Sequence, residues 1–177
     1  MNDANHLRLL SLMLRIPDEE SLPLLEKLAN DQPWMQIGLY ELAETPLSQW
    51  QHEYRRLFVE QQHPTAAPPY ESVYRRQTDT DPVVDRLNAL YRDAGLNVES
   101  TPADYLGTQL EVAAHLAEST DPRAHQWQIR LWRDHLLHWI PAFVDDLCQN
   151  SQLLIYRLWG GQLALLSNNI EGSLVNA

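Results

Sequence analysis

Thr101-Pro102-Ala103-Asp104-Tyr105-Leu106-Gly107-Thr108-Gln109-Leu110 reads as the start of a helix, and the pattern it opens decides the fold class. Thr101 stands where an N-cap belongs, Pro102 fits the first helical position, and Asp104 comes three residues after Thr101 as in a capping box. Beyond the cap, Leu106, Leu110, Ala113, Leu116 and Ala117 recur at the three-and-four spacing of one helical face. Working outward in both directions, the same spacing returns, and no long segment alternates with the period of two that a half-buried strand needs. The expected fold is all-α, a single-domain helical bundle over residues 1–177.

Upstream, Asp3 can cap a first helix with Leu7, Leu10 and Leu14 on one face, which Pro17 ends. A second presents Leu22, Leu25 and Leu28, and a third runs from about Trp34 to Leu42 after the Asn30-Asp31-Gln32-Pro33 break. Pro46, behind Thr45, launches a helix in which Trp50, Tyr54, Leu57 and Phe58 form the stripe of a face packed on another helix; ligand stacking is the other use of such aromatics. From Glu60 to Ser72, Pro64, Pro68 and Pro69 forbid a helix, while Tyr70, Val73 and Tyr74 need cover. The segment is a structured loop or docking surface, or else a linker across the core. Arg75-Arg76 reads as a solvated pair, and a helix from about Asp81 to Ala94 stops at Gly95.

Downstream, Ser119-Thr120-Asp121-Pro122 ends one helix and caps the next, which carries Trp127, Leu131, Trp132, His135, Leu136, Trp139 and Phe143. Pro141 should kink or split it. A last helix covers about Ser151 to Leu166, and the polar tail, from about residue 168, looks frayed.

Composition narrows the function. The net charge of −11 argues against a phosphate-binding surface, so no nucleic acid is expected and basic partners suit better, although an acidic surface also serves solubility alone. Only Lys27 among the thirteen basic residues is lysine, a bias with no physical account. The single cysteine, Cys148, cannot form an intrachain disulfide and lies in an apolar-periodic segment, where it reads as a small buried hydrophobe. No signal sequence or membrane-spanning run is legible, which points to the cytoplasm.

Little catalytic chemistry is visible. Gly160-Gly161 lacks the Lys-Ser or Lys-Thr that completes a phosphate loop, and no serine sits in a nucleophile elbow. His115, His125, His135 and His138 cluster in the C-terminal third, with Glu111 four before His115, yet di-metal bundles need two acid–histidine pairs at a spacing of three. Neither a metal nor another cofactor is expected. Asp104 has two compatible uses, since a carboxylate at N3 complements the helix dipole and can also accept a guanidinium.

Four tokens, in order, resemble the TorD/DmsD/NarJ family of molybdoenzyme maturation chaperones over roughly Trp50 to Phe143. They are Tyr54-Arg55-Arg56-Leu57-Phe58, Pro68-Pro69-Tyr70-Glu71-Ser72-Val73-Tyr74, Tyr91-Arg92-Asp93-Ala94-Gly95-Leu96 with Pro102-Ala103-Asp104-Tyr105-Leu106 and Gln109-Leu110 after it, and His135-Leu136-Leu137-His138-Trp139-Ile140-Pro141-Ala142-Phe143. The resemblance implies a non-catalytic cytoplasmic chaperone. Its partner would be an apo molybdoenzyme catalytic subunit and the leader peptide of that subunit, often twin-arginine, with a homodimer possible. It also implies that Asp104 contacts arginine, with Tyr70, Glu71 and Tyr105 forming the groove wall and Gln109 among the peptide-binding residues. Tyr105 replaces the family's usual histidine, and Gln109 stands where glutamate is common. The competing readings are a helical enzyme with an acid/histidine or metal site, and a generic helical adaptor.

Overall fold

The computed structural model describes residues 4–59, 65–75, 83–98 and 101–175. Ten α-helices succeed one another in chain order among them: α1 (Ala4–Leu12), α2 (Ser21–Leu28), α3 (Gln36–Ala43), α4 (Leu47–Phe58), α5 (Glu71–Tyr74), α6 (Val83–Asp93), α7 (Leu106–Glu118), α8 (Ala124–Leu131), α9 (Leu137–Asn150) and α10 (Leu154–Val175). Short 3₁₀ turns at Ala29–Asp31 and Pro33–Met35 join α2 to α3, and a π-turn at Trp132–Leu136 joins α8 to α9. The chain is all-α; among the described residues the β geometry amounts to an isolated antiparallel bridge between Tyr70 and Tyr105. It divides into two compact units, one of Met1–Leu14, Pro69–Ala142 and Leu165–Ala177, the other of Arg15–Pro68 and Phe143–Ala164.

In the first unit α7 is the central element. Nine of its thirteen residues are buried, so it needs cover on more than one face, and α1 and α8 both pack against it. Leu7 and Leu10 of α1 and Leu106, Leu110 and Ala113 of α7 lose all contact with solvent. At the rim, the Arg8 guanidinium donates a two-pronged bond to Glu118, 2.8 Å to Oε1 and 2.6 Å to Oε2, and Ser11 Oγ donates to Glu111. Gly95, at φ +74°, closes α6: its N–H donates to the Arg92 carbonyl and that of Leu96 to the Tyr91 carbonyl, the paired bonds of a left-handed helix stop.

In the second unit the stripe on α4 is core. Trp50, Tyr54, Leu57 and Phe58 are all buried. Trp50 Nε1 donates to Tyr156 Oη at 2.9 Å, and Phe58 meets Tyr54, Tyr156 and Trp159 edge-on. Two glutamates receive the N–H groups that open α10, which have no partner within the helix. Glu53 accepts from Gln152 at 2.6 Å and Glu41 from Leu154 at 2.5 Å. Gly38 lets α3 approach α10, since a Cβ there would lie 2.9 Å from Ile155 Cα.

Several expectations are corrected. The first helix ends at Leu12, ahead of Pro17. Pro46 precedes α4 in extended backbone rather than opening it. Asp121 Oδ1 accepts the Arg123 N–H, and α8 begins only at Ala124. Pro141 does not split α9, being contained within it; the widening lies one turn earlier, in the π-turn. The last helix, expected to stop near Leu166, continues to Val175, with Ser167 and Ile170 buried. Cys148 is half-buried, not enclosed: its Sγ donates to the Arg157 carbonyl at 3.8 Å, and burial pushes the thiol up. Residues 60–64 of the proline-rich loop and the beginning of the Asp81 helix lie outside the described residues.

Two outcomes are expected. Gly38→Ala should lower the unfolding free energy by about 1–3 kcal/mol in urea titration, because the added methyl meets backbone that cannot yield; an unchanged midpoint would show that α3 shifts freely. Arg8 holds the Glu118 carboxyl below its ordinary value of 4.5. The stabilisation from that pair is therefore full above 4.5 and disappears as pH falls through the depressed folded value. Glu118→Gln should flatten the acid limb of a Tm-against-pH profile.

Candidate functional site

Pro68 and Pro69 keep the chain extended, and Tyr105, with φ −70° and ψ 132°, is extended too. Where these two stretches run side by side, the Leu106 N–H donates to the Pro69 carbonyl at 2.9 Å and the Glu71 N–H to the Asp104 carbonyl at 3.0 Å. The pair of bonds brings Tyr70 and Tyr105 together, rings tilted with centroids 5.4 Å apart and both half-buried. Tyr105 Oη donates to the Leu14 carbonyl at 2.9 Å, which ties this corner to the end of the α1 segment. Gly107 makes room for the ring, since a Cβ there would stand 2.7 Å from Tyr105 Cε1.

Behind the tyrosines lies a buried polar cluster. Glu71 opens α5 with its carboxylate fully buried, and three side chains surround it. Arg75 Nη1 donates to Oε1 at 2.8 Å, Gln109 Nε2 to Oε2 at 3.0 Å, and His135 Nδ1 lies 3.0 and 3.2 Å from the two oxygens. Arg75 Nη1 also donates to the Asp134 carbonyl at 2.8 Å, and Gln109 Nε2 to the Asp104 carbonyl at 3.3 Å. Asp104, likewise buried, takes the Ser72 hydroxyl on Oδ2 at 2.6 Å and the Ser72 N–H at 3.3 Å. Tyr91 Oη donates to the Ala103 carbonyl at 2.9 Å, and its phenol is pushed strongly up, first by burial and then by the charges of Glu71 and Asp104. At the edge, the hydrogen bond from Arg133 holds the Asp134 carboxyl below its ordinary value.

The five side chains singled out in the sequence, Asp104, Tyr105, Tyr70, Glu71 and Gln109, therefore come together in the first unit. Their roles differ from the local reading. No side chain caps α7, which begins at Leu106 rather than at Pro102. Thr101 Oγ1 meets Thr108 Oγ1 at 2.9 Å instead of a backbone N–H. Asp104 does not cap α7: the turn from Pro102 to Tyr105 faces its carboxylate across the bridge towards Ser72, whose N–H in the first turn of α5 it accepts instead. Arg75 is no solvated cation but the partner of a buried acid; Arg76 lies outside the described residues.

His135, Arg75 and Ser72 complete the cluster, and sequence reasoning does not single them out as site residues. The signal for His135 is its place six residues before Pro141, and for Ser72 its place as the small residue before Tyr74; for Arg75 there is none. His115, His125 and His138 are exposed. Among the described residues no three His, Cys, Asp or Glu side chains converge as metal ligands. Both carboxylates already have donors, so the arrangement serves to hold α5, α7 and the π-turn in register beside a partly open tyrosine pair; Val73, whose N–H donates to the Tyr70 carbonyl, is 55% exposed. Such a surface can take apolar side chains and, through the ring faces, a cation.

A family model described as nitrate reductase delta subunit matches residues 17–145. Two curated relatives, each named chaperone protein TorD and from two strains of Vibrio cholerae, are 33% identical over 104 residues, covering 51% of this chain and 47% of theirs. The chain thus spans about half the length of the curated relatives it matches. A solved structure from Archaeoglobus fulgidus, described as a redox enzyme maturation protein, aligns over 97% of this chain and 95% of its own with a TM-score of 0.63 at 24% identity. That likeness establishes the fold.

Glu71→Leu should cost about 3–5 kcal/mol in urea unfolding, because it leaves Arg75, Gln109 and His135 facing an apolar side chain. Ser72→Ala should cost about 1–3 kcal/mol by removing the hydroxyl donor to a buried carboxylate. Losses below about 0.5 kcal/mol in both would mean that the cluster does not hold the segment.

Proposed function

The chain belongs to the nitrate reductase delta subunit family, the TorD/DmsD/NarJ type, and from that membership we propose that it is a non-catalytic maturation chaperone. It binds the leader peptide or N-terminal region of an apo molybdenum-containing oxidoreductase in the cytoplasm and holds that partner while its cofactor is inserted. The observation that carries the reading is the Tyr70–Tyr105 pair, half-buried beside exposed Val73 and seated on a rigid polar foundation.

A leader combines apolar and basic side chains. The apolar ones bury against tyrosine rings and Val73, and a basic one finds ring faces on a chain whose net charge of −11 favours its approach. Asp104 and Glu71 act here from behind. Asp104 holds Ser72, and Glu71 holds Arg75, Gln109 and His135, so the acids fix the backbone that presents the tyrosines. Ser72 occupies Oδ2 of Asp104 with both its hydroxyl and its N–H, so an incoming guanidinium shares the carboxylate with Ser72 or displaces it. No helix among the described residues is long and apolar enough to cross a membrane.

Isothermal titration with the leader of the molybdoenzyme encoded beside this chain tests the proposal. Tyr70→Ala and Tyr105→Ala should each weaken binding by about tenfold or more, the cost of truncating an aromatic anchor. Higher salt should weaken the wild type as well. Undiminished affinity in the double variant would remove the tyrosine pair from the interface, and absence of any saturable binding would remove the leader.

A further inference from the structure

The second unit carries an apolar face of its own that the leader site leaves unused. Among the described residues, half of the large apolar side chains left in solvent fall between Ile16 and Tyr40: Ile16, Leu24, Ile37 and Tyr40. The two most exposed of these, Ile37 at 71% and Tyr40 at 78%, stand one turn apart on α3. The opposite side of the helix is committed to the core, with Gly38, Leu39 and Leu42 buried. Continuing down the outer face, the three-and-four spacing adds Glu41 and Glu44.

These acids sit at the wrong end of the helix for its own stability. The C-terminal turn exposes carbonyl groups and carries partial negative charge, which favours cations. No basic residue occupies the last turn of α3. Glu41 is relieved by the N-terminus of α10, whose Leu154 N–H it accepts, while Glu44 is exposed at the helix end. From Arg15 to Glu44 the chain places seven acids against Arg15 and Lys27, five of its eleven net negative charges.

We infer that the outer face of α3 is a docking surface for a basic amphipathic helix of a protein partner. The apolar side of that helix covers Ile37 and Tyr40, while its lysines or arginines meet Glu44 and the carbonyl end of α3. Every residue of this face belongs to the second unit, whereas the tyrosine pair belongs to the first.

The probe is a synthetic Leu/Lys amphipathic peptide of about 15 residues, long enough to hold a helix on binding. It is titrated calorimetrically into the full chain. Ile37→Ser/Tyr40→Ser should weaken binding at least about tenfold, the scale of losing two apolar anchors. Glu44→Lys should weaken it as well, with less dependence on salt, and Tyr70→Ala should leave it unchanged. The side chains replaced at 37, 40 and 44 are exposed, so unfolding midpoints of those variants should stay at the wild-type value. Equal affinity in the double variant would overturn the inference, as would loss of binding in Tyr70→Ala instead. Two other occupants are distinguished in parallel. A concentration-dependent dimer in light scattering that the double variant dissolves would assign the face to a second copy. Co-sedimentation with anionic vesicles that the double variant abolishes would assign it to a lipid surface. Either result overturns the inference.

Discussion

A carboxylate stripped of solvent is the constraint on which the first unit depends. Glu71 has no exposure, and an isolated ionised group in such a place would cost far more than the whole stability of a domain. Its presence therefore dictates its neighbours. Arg75 supplies the opposite charge from the next turn of chain, Gln109 donates from α7, and His135 donates from the π-turn. Three segments far apart in sequence must meet at one pair of oxygens, and an alternative register of any of them would leave a charge or a donor unmatched. Apolar packing makes the unit compact; the polar cluster makes its arrangement particular.

The helices are legible in the sequence because their signal is local and redundant. The stripe Trp50, Tyr54, Leu57 and Phe58 faces the core as its spacing requires, and Gly95 stops α6 in the left-handed conformation its position implies. The site is legible in membership but not in chemistry. Its five residues converge, yet Thr101, Pro102 and Asp104, which satisfy every local requirement of a capped helix start, open no helix. Local capping is worth about 1 kcal/mol, and a buried hydrogen bond to a carboxylate together with a backbone bridge outweighs it. The competing partners, Ser72 and Pro69, lie about thirty residues away in the chain, and no local window of sequence contains both alternatives.

Arg75 and the π-turn are illegible for related reasons. An arginine next to another arginine has the composition of a solvated surface, and only the tertiary position of Glu71 draws it inward. Pro141 announces a disturbed helix, but the hydrogen-bond pattern gives way one turn earlier, at Trp132–Leu136, where the wider turn also carries His135 to the cluster. The two glutamates that receive the first N–H groups of α10 are hidden in the same way, because Glu41 and Glu53 sit about a hundred residues before the helix they anchor.

The first unit is woven from three separate lengths of chain: the beginning, the middle and the last turns of α10. A chain emerging from the ribosome is made N-terminus first, and non-local contacts cannot form until both partners exist. α1, synthesised early, must wait for α7 some hundred residues later before it can be covered. The tyrosine surface, tied to the Leu14 carbonyl and to the bridge between Pro69 and Leu106, thus forms only after stretches made far apart in time have met.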